Sequence, residues 1–256
     1  MKKLIPSFFG AILFYTIIPL PTFIPINFSK IAVWLPFVGF LVGGLLGFIA
    51  YIFDVLGFSP FLQGILMVSL WIYLTGGLHL DGVMDTADGL AVQNPQKRLR
   101  VMSDSNTGAY GVMAGIVVIL IKVATLTEIR ENSWFYLIFS ASWARWGQFI
   151  SIVLYPYLKK EGKGAFLKES LNLPFDTIFS SLFIIPLVLI QYFWFNNSIE
   201  VILLRMLIGG FIPLLIGWWF YQQLGGHTGD TYGATVEWSE ALILCYLTSI
   251  LNLFHY

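Results

Sequence analysis

The sequence predicts an all-α fold: a polytopic integral membrane helix bundle of about seven spans, with an N-terminal interfacial or re-entrant helix. Three observations predict it. Of 256 residues, 57% are hydrophobic and only 11% charged, with zero formal net charge, whereas a soluble domain carries about 25% charged residues. Several stretches run about 17–25 residues with almost no charge, the length a helix needs to cross a bilayer. The polar residues are gathered into a few connections. Residues 1–256 are therefore expected to form a single membrane-embedded domain, with the lipid bilayer as partner. With no basic excess, the composition gives no hint of a nucleic-acid partner, and none is expected.

Met1-Lys2-Lys3 and the apolar run 4–20 resemble a signal peptide, but no small-residue cleavage site follows and Pro19, Pro21 and Pro25 do. The segment is expected to stay in the protein. Apolar helices are then expected over 31–56, 60–78, 110–127, 134–156, 177–195, 199–222 and 237–254. Polar connections fall at 21–30, 79–109, 157–176 and 223–236, with short links at 57–59, 128–133 and 196–198. Within 79–109, Asn94-Pro95 reads as an N-cap with proline at the first helical position, so "PQKRLRVMSD" should form a short surface helix. Trp34, Trp134, Trp194, Trp218 and Trp238 lie near segment ends, as an aromatic belt requires. Cys245, the only cysteine, excludes an internal disulfide.

Positive charge sets orientation. Lys97, Arg98 and Arg100 lie in one long connection and Lys159, Lys160, Lys163 and Lys168 in another, while the short links contain only Arg130. Connections 79–109, 157–176 and 223–236 are thus expected at the cytoplasmic face. Counting backward, a spanning 4–20 would put Lys2 and Lys3 outside, so this segment is expected not to cross. Eight spans is the alternative.

The polar residues that ask for an explanation begin at 75, in "TGGLHLDGVMDTADGL". Asp81, Asp85 and Asp88 are spaced i, i+4, i+7 and share a helical stripe within about 60°. Neighbours on such a stripe repel by about 3 kcal/mol per pair at an effective dielectric of 20. That is a large part of a stability margin of roughly 5–15 kcal/mol. A cation should sit among them, and oxygen-only ligation suits Mg²⁺ or Mn²⁺. Gly76, Gly77, Gly82 and Gly89 allow tight turns or close backbone approach, unlike a simply solvated loop. His79 falls on the opposite side of the helix, where it is either an interfacial hydrogen-bonded histidine or a substrate contact. His227 carries the same alternatives, and His255 is incidental.

Two further stretches face the same side. "MSDSNTGAYG" carries Asp104, Ser105, Asn106 and Thr107 before Gly108 and a span, a donor-rich helix start suited to an anion. "GGHTGDTYGATVEWSE" carries Gly226, Asp230, Glu237 and Glu240. Glu240 reads as ordinary helix capping, whereas Asp230 and Glu237 repeat the glycine-plus-acid pattern. Lys122 and Arg205 lie near outer span ends and can snorkel. Arg145 is mid-span, where an unpaired charge costs about 2.5–3.5 kcal/mol. Its partner is either an aspartate or a substrate phosphate. Carboxylates for a divalent metal, glycine-rich helix starts and a buried arginine together suit phosphoryl transfer.

"GGLHLDGVMDTADGL", "MSDSNTGAYGVMA", "ARWGQ", "EGKGAF" and "GGHTGDTYGATVEWSE", in this order, resemble the cobalamin synthase family of adenosylcobinamide-GDP ribazoletransferases. The resemblance implies a magnesium-dependent, multi-pass catalytic domain in a prokaryotic inner membrane. It would join α-ribazole, or its 5′-phosphate, to adenosylcobinamide-GDP and release GMP. It also implies that Asp81, Asp85 and Asp88 fall on the family's acidic motif, and Asp104, Asp230 and Glu237 on its other polar stretches. Asp104 or Asp230 is the candidate general base, and Arg145 a candidate clamp. Gly76, Gly77, His79, Ser105, Asn106 and Gly226 are candidate substrate contacts. A homo-oligomer is compatible with the sequence. The rivals are a CDP-alcohol phosphotransferase, a membrane prenyltransferase and a cation-coupled transporter. The first needs an Ala-Arg pair after Asp-Gly, where this chain has Val83-Met84. The second needs a paired-aspartate motif that does not occur as such. The third favours acids at the midplane.

Overall fold

The computed structural model describes residues 4–159 and 164–254, with side chains to 249. Lys2, Lys3, Lys160, Lys163, His255 and part of "EGKGAF" lie outside the described residues. Every regular element is helical. After α1 (Leu4–Tyr15), a short 3₁₀ turn (Ile31–Trp34) leads into α2 (Leu35–Val55), followed by α3 (Pro60–Leu74), α4 (Leu78–Ala91) and α5 (Pro95–Val101). Next come α6 (Ala109–Glu128), α7 (Ser133–Leu154) and α8 (Ala165–Glu169). α9 (Phe175–Leu182) and α10 (Ile185–Leu189), with a π-helical turn (Ile190–Trp194), form one interrupted run before α11 (Ile199–Leu224) and α12 (Gly229–Phe254).

Among the described residues five segments are long and apolar enough to cross a membrane: 31–55, α6, α7, the run 175–194 and α11. A sixth is the pair α3 and α4, bent by 89°. α12, with 26 residues, is about 39 Å long and brings the bundle to the expected seven.

The centre of the bundle is α7, nearly all of whose residues are buried. α2 lies along it because Gly39, Gly43 and Gly47 recur every four residues and remove side chains from the shared face. A Cβ on Gly43 would sit 2.5 Å from Ile138 Cα, and one on Gly47 2.6 Å from Trp134 Cβ. Such small-residue stripes let backbones approach where lipid supplies no hydrophobic drive.

α1 has 12 residues, about 18 Å, against a hydrocarbon core of about 30 Å. Its start is tied to the 21–30 connection, where Asn27 N–H donates to Pro6 O (3.0 Å) and Ser7 Oγ to Ser29 O (2.7 Å). Past its end, Ile17 N–H donates to Leu74 O (2.9 Å) at the finish of α3. Both ends therefore lie on the membrane face where α3 ends and α2 begins, and α1 does not cross. The expected helix 4–20 ends at Tyr15 because the chain toward Pro19 and Pro21 leaves helical geometry.

Two expected connections are largely helical. Helix 60–78 stops at Leu74, where Gly76 (φ 64°) and Gly77 (φ 71°) reverse the backbone, and a new helix occupies 78–91. The last helix begins at Gly229 instead of 237. Its added turns hold Thr228 Oγ and Thr231 Oγ in reciprocal bonds with each other's backbone N–H, at 3.3 and 2.8 Å. The surface helix after Asn94 is present, with Asn94 Oδ1 accepting from Gln96 N–H at 3.0 Å.

Candidate functional site

α4 is wedged between α12 and α6, and glycines make both contacts possible. A Cβ on Gly82 would lie 2.5 Å from Asp230 O, and one on Gly233 3.0 Å from His79 Cα. On the other flank, Gly111 and Gly115 of α6 lie against Met84, with Gly111 also against Asp88. The remaining edge of α4 carries Asp81, which is exposed, and Asp85, which is half-buried. Among the described residues neither carboxylate has a hydrogen-bond or ion-pair partner. Asp85 lies within electrostatic range of Asp81, Asp230, Lys159 and Asp88, so the first and last acidic motifs meet at one place.

The expected repulsion is relieved in part by the protein itself. Asp88 accepts from Gly108 N–H (2.6 Å) and Gly111 N–H (2.8 Å), capping α6 with both oxygens. Asp230 accepts from Lys159 Nζ (2.9 Å) and from Thr228 Oγ1 (3.2 Å). Lys159 was read from sequence only as an orientation charge. It is held there by backbone: Leu158 N–H donates to His227 O (2.8 Å) and His227 N–H to Pro156 O (2.9 Å). Gly226 permits that approach, since a Cβ would stand 2.6 Å from Pro156 O.

No three His, Cys, Asp or Glu side chains among the described residues already converge on an ion position. The chemistry of the donors nevertheless fits a hard divalent ion: they are carboxylate oxygens, and Asp81 and Asp85 spend none of theirs on the protein.

Several expected site residues lie elsewhere. The helix start at α6 is not free for an external anion, because Asp88 occupies its amides. Asp104 sits in an exposed turn and accepts from Asn106 N–H (3.0 Å) and Nδ2 (2.8 Å), which hold its carboxyl below the usual carboxylate range. A carboxylate so stabilised is a weak base. Ser105 is exposed beside it. Gly76 and Gly77 make the α3–α4 bend. His79 is buried on the far side of α4, and its Nδ1 has no partner among the described residues. His227 is structural: Nε2 donates to Gly217 O (3.1 Å) and Nδ1 accepts from Thr231 Oγ1 (3.1 Å). Burial pushes its pKa down to about 4.

Arg145 and Glu237 belong to a different cluster. Arg145 is fully buried and donates to Glu240 Oε1 at 2.7 Å. Its partner is thus neither an aspartate nor a phosphate. Lys122 bridges Glu237 (2.6 Å) and Glu240 (2.5 Å) and stands 4.4 Å from the Trp71 ring centroid. Glu240 is therefore no helix cap, and Lys122 does not snorkel. Arg205 is also buried, at 8% exposure. Lys122, Arg145, Glu237 and Glu240 close on one another because an unpaired charge inside the bundle is costly.

A family model for cobalamin-5-phosphate synthase matches residues 7–248. The chain is 44% identical over 248 residues to the adenosylcobinamide-GDP ribazoletransferase of Trichormus variabilis, covering 97% of this chain and 98% of that protein. It is 47% identical over 244 residues to the enzyme of that name from Synechocystis, covering 94% of each. To that of Brevibacillus brevis it is 36% identical over 250 residues, covering 94% and 97%. No solved structure matches the chain.

Proposed function

The chain belongs to the cobalamin-5-phosphate synthase family, and from that premise we propose that it is an adenosylcobinamide-GDP ribazoletransferase. The reaction joins α-ribazole, or its 5′-phosphate, to adenosylcobinamide-GDP, releasing GMP and forming adenosylcobalamin or its 5′-phosphate. The observation that carries the assignment of the site is the open edge of α4. Among the described residues Asp81 and Asp85 stand there without partners, beside Asp230 of α12.

A ribazole hydroxyl oxygen forms a bond to the phosphorus on the cobinamide side. The bond from that phosphorus to the bridging oxygen breaks, and its electron pair leaves with GMP. Asp81 and Asp85 would hold Mg²⁺, with Mn²⁺ as the substitute and Asp88 at the end of the same stripe, itself positioned by the α6 amides. Such an ion supplies neutralisation of diphosphate charge and a Lewis-acidic template. Asp230, fixed at the start of α12 by Thr228, takes the hydroxyl proton. Asp104 is disfavoured for that task because it sits in the exposed turn before α6 and is not among the groups gathered around Asp85. Glu237 and Arg145 act at a distance, by holding α6, α7 and α12 together under the site.

The site face carries Lys97, Arg98, Arg100, Lys159 and Lys168, so the positive-inside rule supports a cytoplasmic site in a prokaryotic inner membrane. Purified protein in lipid vesicles, given adenosylcobinamide-GDP and α-ribazole, should release GMP when Mg²⁺ is present and stop when it is chelated. Asp85→Asn should lower turnover by at least about 100-fold with membrane insertion unchanged. Lipid product from a CDP-linked donor, with no GMP from the corrinoid donor, would reverse the assignment.

A further inference from the structure

We propose that Lys159 is a catalytic residue, the cation that grips the donor diphosphate and stabilises the departing phosphate. The inference rests on the transferase reading above and adds a residue that its acidic motifs do not contain. Transfer between phosphates develops negative charge on the bridging oxygen, and a protein lowers the barrier with a donor aimed at that charge. Arg145 cannot serve, being fully buried and committed to Glu240 at 2.7 Å.

The other described cations of this face are placed otherwise. Lys30 is bonded to Asp176 (2.9 Å), Arg98 to Gln223 O (2.9 Å) and Lys168 to Tyr155 O (3.0 Å). Lys97 and Arg100 are exposed on α5. Lys159 alone among the described cations is bonded to an aspartate of the acidic motifs, Asp230, at 2.9 Å. Its side chain is 25% exposed, so it is shielded yet reachable. Its backbone is pinned through Leu158 and His227.

The charges also fit. Among the described residues the carboxylates of Asp81, Asp85, Asp88 and Asp230 outnumber the single cation Lys159, so the group can accept a divalent ion and still offer its ammonium. Without substrate that ammonium rests on Asp230, at 2.9 Å. When a diphosphate arrives, Lys159 turns to its oxygens and Asp230 is released to accept a proton. The hydroxyl proton then goes to Asp230, the new P–O bond forms, and the bridging oxygen departs with its electron pair, accepting a hydrogen bond from Nζ.

The test uses full-length protein in lipid vesicles, in a Cys245→Ser background, with GMP release and binding of GDP as the probe. Lys159→Gln should lower kcat by about 100-fold or more and weaken GDP binding by about tenfold, with the ribazole KM within about threefold. Lys159→Arg should keep more activity than Lys159→Gln. Lys159→Cys should gain at least tenfold when alkylated with 2-bromoethylamine, which restores an ammonium at that position. If Lys159→Gln retains a third or more of wild-type kcat, the assignment is wrong. Lost activity with unchanged GDP binding and no rescue by alkylation would make Lys159 a structural partner of Asp230 and overturn it equally. No GMP from wild type would overturn the transferase reading together with this one, whereas equal GMP from wild type and Lys159→Gln would overturn this one alone.

Discussion

At the scale of single residues, charge inside the bundle is arranged in two ways with opposite consequences. Lys122, Arg145, Glu237 and Glu240 form a buried, neutral set of two cations and two anions drawn from α6, α7 and α12. Removing one member leaves a charge that water cannot reach, which costs about 3–5 kcal/mol. Arg145→Met should therefore lower the melting temperature of the solubilised protein by roughly 10 °C. Arg145→Met/Glu240→Met removes a cation and an anion and leaves the Lys122–Glu237 pair at 2.6 Å. This double variant should melt above the single one, because the residual set is again neutral. Thermal melts of the two proteins decide the matter: a double variant less stable than Arg145→Met would show that shape, and not charge balance, holds these helices. The outward acids differ, because Asp81 and Asp85 have no partner among the described residues and are available to a ligand.

At the scale of elements, the site depends on how closely α4 approaches α12. Gly82 and Gly233 set that distance, since a Cβ on Gly82 would stand 2.5 Å from Asp230 O and 3.1 Å from Asp230 Cα. Gly82→Val must push the helices apart and carry Asp230 away from Asp81 and Asp85. The expected stability cost is about 1–3 kcal/mol, with GMP release falling by more than tenfold. Gly44→Ala is the control, for its Cβ would meet only Ile138 Cδ1 at 4.0 Å. Equal GMP release from both variants would contradict the argument. The aspartate stripe itself was legible, because a helical period of about 3.6 residues relates positions 81, 85 and 88 wherever the helix lies. The extent of the helices was not. Residues 79–91 and 229–236 are polar and read as connections, yet Thr86, Thr231 and Thr235 are buried against neighbouring helices. Polarity there reflects pairing inside the bundle instead of exposure. The partners of the charges were hidden for another reason. Lys159 and Asp230 are 71 positions apart, and Arg145 and Glu240 are 95 apart, and no local period encodes such meetings.

At the scale of the whole molecule, the fold gathers the acidic edge of α4, the start of α12 and the connections around them at one membrane face. The bonds from α1 to Leu74, and from the 21–30 connection to Pro6, tie the first helix to that face at both ends. The ion pair between Lys30 and Asp176, at 2.9 Å, brings the connection before α9 there as well. The strand-like contact of 156–158 with His227 adds the connections on either side of it. Phe23 and Gln96 should accordingly lie on one side of the membrane, and Asp54 and Glu131 on the other. Single cysteines at these four exposed positions, in a Cys245→Ser background, can be probed with a membrane-impermeant maleimide. Expressed in a bacterial inner membrane, positions 23 and 96 should react only in inside-out vesicles, and 54 and 131 only in intact cells. The sign follows from charge, since Lys97, Arg98, Arg100, Lys159 and Lys168 lie on the first face and Arg130 alone occupies the described links of the other. Labelling of 23 and 96 from opposite sides would mean that α2 and α3 do not both cross and would overturn this arrangement. A cysteine at the exposed Ile5 that reacts from the side opposite to 23 would make the first segment a true span and raise the count to eight, and it would break the bond from Asn27 to Pro6 that ties the start of α1 to the 21–30 connection.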